Sequence, residues 1–186
     1  MSSNDKDSLT AASAINLAAA REFSNDSKAA AYGGSKGNSM RAGVNASSNA
    51  PDTVKILDRL REKGMLVPGS SLGPEIRSEY RRIKRPLLSN AFGKSAELVD
   101  DGNLILVTSS VPGEGKSFTA LNLALAIAQE RDHTVLLIDA DVTKQGVSRM
   151  LGIERRRPDL TDLLTSEDLS VAKAMLRTDV PGLVLL

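Results

Sequence analysis

"SSVPGEGKSFTALNLA", residues 109–124, carries the reading of the fold. It includes Gly115-Lys116-Ser117, the end of a phosphate-binding loop of the form G-x-x-x-x-G-K-[ST], but Ser110 stands where that form has its first glycine. The flanks supply the motif's context. "NLILVTSS" (103–110) is a short apolar run without polar alternation, the pattern of a strand buried on both faces of a parallel sheet. "KSFTALNLALAIAQE" (116–130) puts Phe118, Leu121, Leu125 and Ala128 on one face, with Ala120, Ala124 and Ile127 beside them. A helix so nearly apolar all round is expected to be deeply packed. Within the loop, Gly113 and Gly115 let the backbone wrap its N–H groups around a phosphate at the helix N-terminus. Lys116 is placed to reach the β and γ phosphates, and Ser117 to offer its hydroxyl to Mg2+. A small residue suffices at position 110, where strand gives way to loop. A plain glycine turn opening an ordinary helix leaves the lysine unexplained, so the stretch predicts nucleotide binding.

The next apolar run supports this. "TVLLIDAD" (134–141) predicts a second buried strand that ends in Asp139 and Asp141. Carboxylates two residues apart in a strand point the same way. At the C-terminal tip of a parallel strand they border the crevice where ligands bind. Beside a phosphate site they are natural Mg2+ ligands. The alternative is that Asp141 caps the following segment and Asp139 alone is functional. Strand, helix and strand make a βαβ unit with a right-handed crossover. "VSRMLG", "LTDLL" and "SVAKAMLR" predict short helices, and "GLVLL" (182–186) a third strand.

Composition bounds the rest. The chain has 186 residues, a net charge of +1, no cysteine and one histidine, His133. No global field points to nucleic acid or membrane. Disulfides, thiolate metal sites and a cysteine nucleophile are excluded for these residues. Arg155-Arg156-Arg157 reads as a solvated loop. No apolar run approaches the ~20 residues of a membrane helix, and the N-terminus lacks the order of a secretory signal, so a cytoplasmic protein is the expectation. Residues 1–50, rich in Ser, Ala, Asn and Gly, predict a disordered tail with a transient helix over 11–22. Residues 51–72 predict a short amphipathic helix, with Val54, Leu57, Leu60 and Met65 at helical spacing, followed by the linker "VPGSSLGP". The folded domain is expected to begin at Gly73. Its first helix opens at Pro74-Glu75 and is expected to stop at Pro86, with Tyr80 and Ile83 turned to the core. Glu79, Arg82 and Arg85, spaced by three, share roughly one face.

Together these motifs resemble the bacterial protein-tyrosine kinases of exopolysaccharide and capsule export. "SSVPGEGKS" is similar to their Walker A loop, which tolerates a non-glycine first position. "VLLIDADVTKQG" is similar to their Walker A′ motif, and "EYRRIKRPLLSNAFG" (79–93) to a stretch of the exosortase-associated, stand-alone autokinase type. The resemblance covers about residues 50–186. It implies an α/β P-loop NTPase fold, a parallel sheet flanked by helices, here apparently truncated behind a disordered tail. It implies transfer of the ATP γ-phosphate to tyrosines, mostly the protein's own, with ATP and Mg2+ as cofactors. Lys116, Asp139 and Asp141 take the catalytic roles. Pro112, Gly113, Glu114, Gly115, Lys116, Ser117 and Phe118 hold the nucleotide, and Ser117, Asp139 and Asp141 the metal. Glu79, Arg82 and Arg85 match the family's E-x-x-R-x-x-R motif and imply a homo-oligomer contact; a solvated charged face is the plainer reading. A membrane polysaccharide co-polymerase is the implied activator, recruiting the chain to the inner membrane face; no nucleic-acid partner is implied.

The sequence departs from that pattern in places. The basic residue expected at Thr143 comes one later, at Lys144. No Walker B strand and no tyrosine cluster follow, and Tyr32 and Tyr80 are the only tyrosines. The 186 residues therefore read as the front portion of a kinase. Two other readings remain. A partitioning-type ATPase shares the fold but carries a signature lysine where Val111 stands. A non-catalytic, nucleotide-gated interaction module fits the missing motifs.

Overall fold

Strand β4 (Leu183–Leu185) is the centre of the sheet, and all three of its residues are buried. A computed structural model describes residues 53–93, 101–153 and 158–186 of this chain. The expected disordered tail, Tyr32 and the arginine run 155–157 lie outside the described residues. In chain order the elements are β1 (Thr53–Val54), α1 (Leu57–Glu62), α2 (Pro74–Phe92), α3 (Lys116–Ala128), β2 (Val135–Leu137), α4 (Gly146–Leu151), α5 (Leu160–Thr165), α6 (Val171–Ala174), β3 (Leu176–Thr178) and β4. The sheet order is β1-β3-β4-β2.

The sheet is mixed, which corrects the expectation of an all-parallel one. β2 pairs with β4, and β1 with β3, in parallel, but β3 and β4 run antiparallel. The reason is the short link Asp179-Val180-Pro181-Gly182, closed by the Leu183 amide donating to the Val180 carbonyl at 3.1 Å. A connection that short can only reverse the chain, whereas a parallel pair needs a crossover of a dozen residues or more. The segment expected as one helix, "SVAKAMLR", accordingly splits into α6 and β3.

The strand expected over 103–110 does not form. Residues 104–109 have no regular structure, and Leu106 is 81% exposed. A strand exists only through its ladder partners, and residues 104–109 pair with none of β1 to β4. The predicted βαβ unit is therefore absent among the described residues. β2 itself is an edge strand and is half-buried rather than buried.

The segment expected as a helix and linker belongs to the core. Thr53–Leu186 forms one compact unit, and Ile56, Leu60, Met65, Leu66 and Val67 are all buried. Val54, expected on a helix, lies in β1. Helix α1 has no capping side chain of its own. Its first amides, Ile56 and Leu57, donate to Asp179 Oδ1 at 2.8 and 3.1 Å, a cap supplied from the β3–β4 turn. After α1, Leu66 is held at both its N–H and its carbonyl, by α3 and by the residue that ends it, Gln129. Its N–H donates to Asn122 Oδ1 and its carbonyl accepts from Gln129 Nε2, each at 2.8 Å.

Helix α2 opens on Pro74, as the sequence predicts, but continues six residues past Pro86 to Phe92. Pro86 lacks the N–H that would bond to Arg82, and it lies on the exposed side, where that carbonyl can meet water. Leu87 and Leu88 beyond it pack against the core. Tyr80 is buried as expected; Ile83 is not, at 45% exposure. The pair is split because three helical residues turn the chain by some 300°, carrying Ile83 to the flank of the packed face. Lys84 does part of the docking instead. Its ammonium donates to the Ala126 carbonyl at 2.8 Å and pairs with Glu130 at 2.5 Å. It thereby satisfies the C-terminal end of α3, where a cation is favoured by the helix dipole.

Candidate functional site

Helix α3 starts directly from the loop. Its N-cap is Gly115 in the left-handed conformation, φ 89°, and Gly113 adopts φ 88°. Both backbones sit where an L side chain is disfavoured, so glycine is required by the path of the loop. No side chain caps the helix, which leaves the amides of its first turn to an outside acceptor. From Leu121 to Ile127 every residue of α3 is buried, so the loop is carried on a fixed post. The deep packing expected of α3 thus begins at Leu121. Phe118 and Thr119, in the turn nearest the loop, are exposed.

Lys116 and Ser117 are the first two residues of α3, both half-buried. The Lys116 ammonium donates to Ser109 Oγ at 2.8 Å and to the Val111 carbonyl at 3.2 Å. The Val111 amide donates to Glu114 Oε2 at 3.1 Å. The Ser109 hydroxyl, together with the Val111 amide, holds the Glu114 carboxyl below its ordinary value, and the Lys116 charge adds to this. Pro112, Gly113 and Glu114 are exposed at the tip of the loop.

Asp139 and Asp141 lie just beyond β2 and have separate jobs. Asp139 is half-buried, and its Oδ2 accepts from the amides of Val147 at 2.9 Å and Ser148 at 3.4 Å, at the start of α4. Asp141 is exposed, and its Oδ1 accepts from the Lys144 amide at 3.0 Å, closing a turn. The parallel placement expected within one strand does not hold, because the strand ends at Leu137. Gln145 follows with φ 46° and caps α4 in a left-handed conformation.

Ser117 and Asp139 meet at the first turn of α4. A Cβ added to Gly146 would fall 2.5 Å from Ser117 Oγ, and Asp139 grips the amide of the very next residue, Val147. Sequence reading missed Gly146; its only signal was a glycine shortly after Asp-x-Asp. One hydroxyl and one or two carboxylates suit Mg2+, which usually keeps several waters and takes its remaining ligands from phosphates. Among the described residues no three acidic, His or Cys side chains gather into a metal cluster. The donor set therefore fits a magnesium ion that arrives with a nucleotide rather than one held by protein alone.

A cavity of about 380 Å3 is lined by Asp139, Gln145, Asp159, Thr161, Leu176 and Leu185, among others. Lys116 and Ser117 do not line it. Glu79, Arg82 and Arg85 are all exposed on α2, and Arg82 pairs with Glu79 at 3.1 Å. They stand away from the loop of their own chain. Lys84, in their midst, holds Ala126, ten residues or ~15 Å along α3 from Lys116. Among the described residues no helix is long and apolar enough to cross a membrane.

Comparison with known proteins agrees with this geometry. Residues 101–174 match the profile of a family described as ParA: NUBPL iron-transfer P-loop NTPase. Over 85 residues the chain is 44% identical to the putative tyrosine-protein kinase EpsB of Ralstonia nicotianae, a stretch covering 45% of this chain and 11% of that protein. Over 50 residues it is 50% identical to the tyrosine-protein kinase YwqD of Bacillus subtilis, covering 27% of this chain and 21% of that one. Over 60 residues it is 47% identical to the iron-sulfur cluster carrier protein of Escherichia coli K12, covering 32% of this chain and 16% of that one. No solved structure matches. The chain thus has a P-loop NTPase fold and is similar, over part of its length, to bacterial tyrosine-protein kinases, of which it spans only about a tenth to a fifth.

Proposed function

We propose that this chain binds Mg-ATP on the loop 112–118 and belongs to the nucleotide-binding part of an ATP-dependent protein-tyrosine autokinase that regulates exopolysaccharide export. The observation that carries the reading is the loop itself. Two left-handed glycines deliver Lys116 and Ser117 to the uncapped first turn of a buried helix. Phosphoryl transfer asks little covalent chemistry of the protein; positioning and charge neutralisation dominate. The amides from Gly113 to Ser117 and the Lys116 ammonium hold the phosphates. Ser117 and Asp139, fixed at either side of Gly146, hold the metal, which neutralises charge on the phosphate oxygens. Asp141, exposed and free at its second carboxylate oxygen, orients or deprotonates an incoming tyrosine hydroxyl, whose pKa near ~10 makes a base useful.

Calorimetry with ADP and Mg2+, wild type against Lys116→Met, tests the cradle; equal heats would remove it. Incubation with labelled ATP and an anti-phosphotyrosine blot, on this chain and on a longer version carrying further strands, tests the kinase. Labelling of the longer chain that Lys116→Met abolishes is the expected result. The 186 residues alone should label weakly or not at all, having few tyrosines to modify.

Assembly is part of the proposal. Glu79, Arg82 and Arg85 contact a neighbouring copy, presenting one chain's tyrosines to the next chain's site, and a membrane polysaccharide co-polymerase activates the oligomer at the inner membrane face. Arginine's planar fork suits such a contact. The paired change Arg82→Glu with Arg85→Glu should lower the oligomer's mass in light scattering while leaving ADP binding intact.

The second reading is a carrier-type P-loop ATPase, favoured by the match to the iron-transfer profile. ATP hydrolysis without any phosphotyrosine in the longer chain would favour it.

A further inference from the structure

The loop is tied across itself. The Val111 peptide is engaged at both ends: its N–H by the Glu114 carboxylate, its carbonyl by the Lys116 ammonium and the Ser109 hydroxyl. Glu114 is exposed, yet its carboxylate is not simply solvated; it takes a backbone amide of the phosphate loop and lies near the loop's one cation. A carboxylate accepting from a loop amide beside a lysine makes the same kinds of contact as a phosphate oxygen.

Building on the nucleotide reading above, we propose that Glu114 is a resident anion that competes with polyphosphate for the loop and so sets the affinity for nucleotide. Binding then proceeds by exchange. The incoming phosphate draws Lys116 away from Ser109 and Val111, and Glu114 releases the Val111 amide and turns to solvent. The competition acts on the phosphate chain alone, so it is blind to the base.

The test is a titration with a fluorescent ADP analogue and Mg2+, followed by its displacement with pyrophosphate, on the full chain and two variants. Glu114→Gln keeps the size and removes the charge; Lys116→Met is the control for the cradle. An exposed carboxylate contact contributes little, so Glu114→Gln is expected to tighten the ADP analogue only about 2- to 5-fold, and pyrophosphate by the same factor. The gain should shrink at high salt, as a screened charge effect must. Wild type binding the analogue, Lys116→Met losing it, and Glu114→Gln binding equally or more weakly would overturn the proposal and leave the nucleotide reading standing. A gain for the analogue without a gain for pyrophosphate would also overturn it. No binding by any of the three would sink both.

Discussion

Asn122 is the one buried polar side chain among the described residues, with 0% exposure, and replacing it with leucine separates hydrogen bonding from packing. Its Oδ1 accepts the Leu66 amide at 2.8 Å, and its Nδ2 donates to the Phe118 carbonyl at 3.0 Å and to Met65 Sδ at 3.2 Å. Leucine has asparagine's branching and heavy-atom count but larger methyl groups, so no cavity forms and slight overpacking adds to the cost. What remains is the Leu66 N–H, buried and without an acceptor, at a cost of about 1–3 kcal/mol. The Phe118 carbonyl loses only a second donor and the thioether only a weak one, so those terms are small. The added apolar burial offsets part of the loss. A net destabilisation of about 2 kcal/mol follows. For a unit of this size that lowers Tm by about 7 °C, and the urea midpoint should fall with no change in m. Thermal and urea unfolding followed by far-UV circular dichroism measure both. Asn122→Leu as stable as wild type, or more stable, would refute the reasoning, since it would mean that the Leu66 amide finds another partner at no loss.

Further expectations follow from other contacts. Asp179→Ala removes a cap from two amides of α1 and should cost about 1–2 kcal/mol in urea unfolding. Gly146→Ala drives a Cβ against Ser117 Oγ and should weaken Mg-ADP binding about 10-fold in calorimetry, with the thermal midpoint little changed. Lys84 holds the Glu130 carboxyl below its ordinary value, chiefly through their hydrogen bond. A depressed carboxyl stabilises the fold above its unfolded pKa, near ~4.3, and that contribution fades as pH falls through the lower folded value. The stability difference between wild type and Lys84→Met should therefore be present at pH 7 and narrow below about pH 4. Glu130 is nearly half exposed, so this share of the difference stays under about 1 kcal/mol.

The helix beneath the loop was legible because its evidence is local. Two glycines, a lysine and a run of small apolar residues state the loop and the burial of α3 within sixteen residues. The sheet was not legible in the same way. "NLILVTSS" has the composition of a buried strand, but composition cannot say whether a neighbouring strand is there to pair with it. The β3–β4 reversal had a local signal, Pro-Gly between two apolar runs, which helical spacing in "SVAKAMLR" obscured. The linker reading of 67–74 rested on Pro, Gly and Ser. It missed that Leu66, at its threshold, is gripped from more than fifty residues away by Asn122 and Gln129, and that Val67 is buried. Asp139 and Asp141 were found by their position after an apolar run. Their different bonding depends on where β2 ends, which sequence fixes poorly.

The cap that Asp179 gives to α1 spans 123 residues of chain, and β1 finds its partner strand over nearly the same distance. During synthesis, the first described helix emerges long before the residue that completes it. Until the β3–β4 turn has left the ribosome, the amides of Ile56 and Leu57 have no acceptor and Leu60 no finished core to enter. Closing so long a loop before its contacts can reward it slows folding, and it makes the two ends of the unit form together in one late step. The nascent phosphate loop, by contrast, is local and can take shape first on α3.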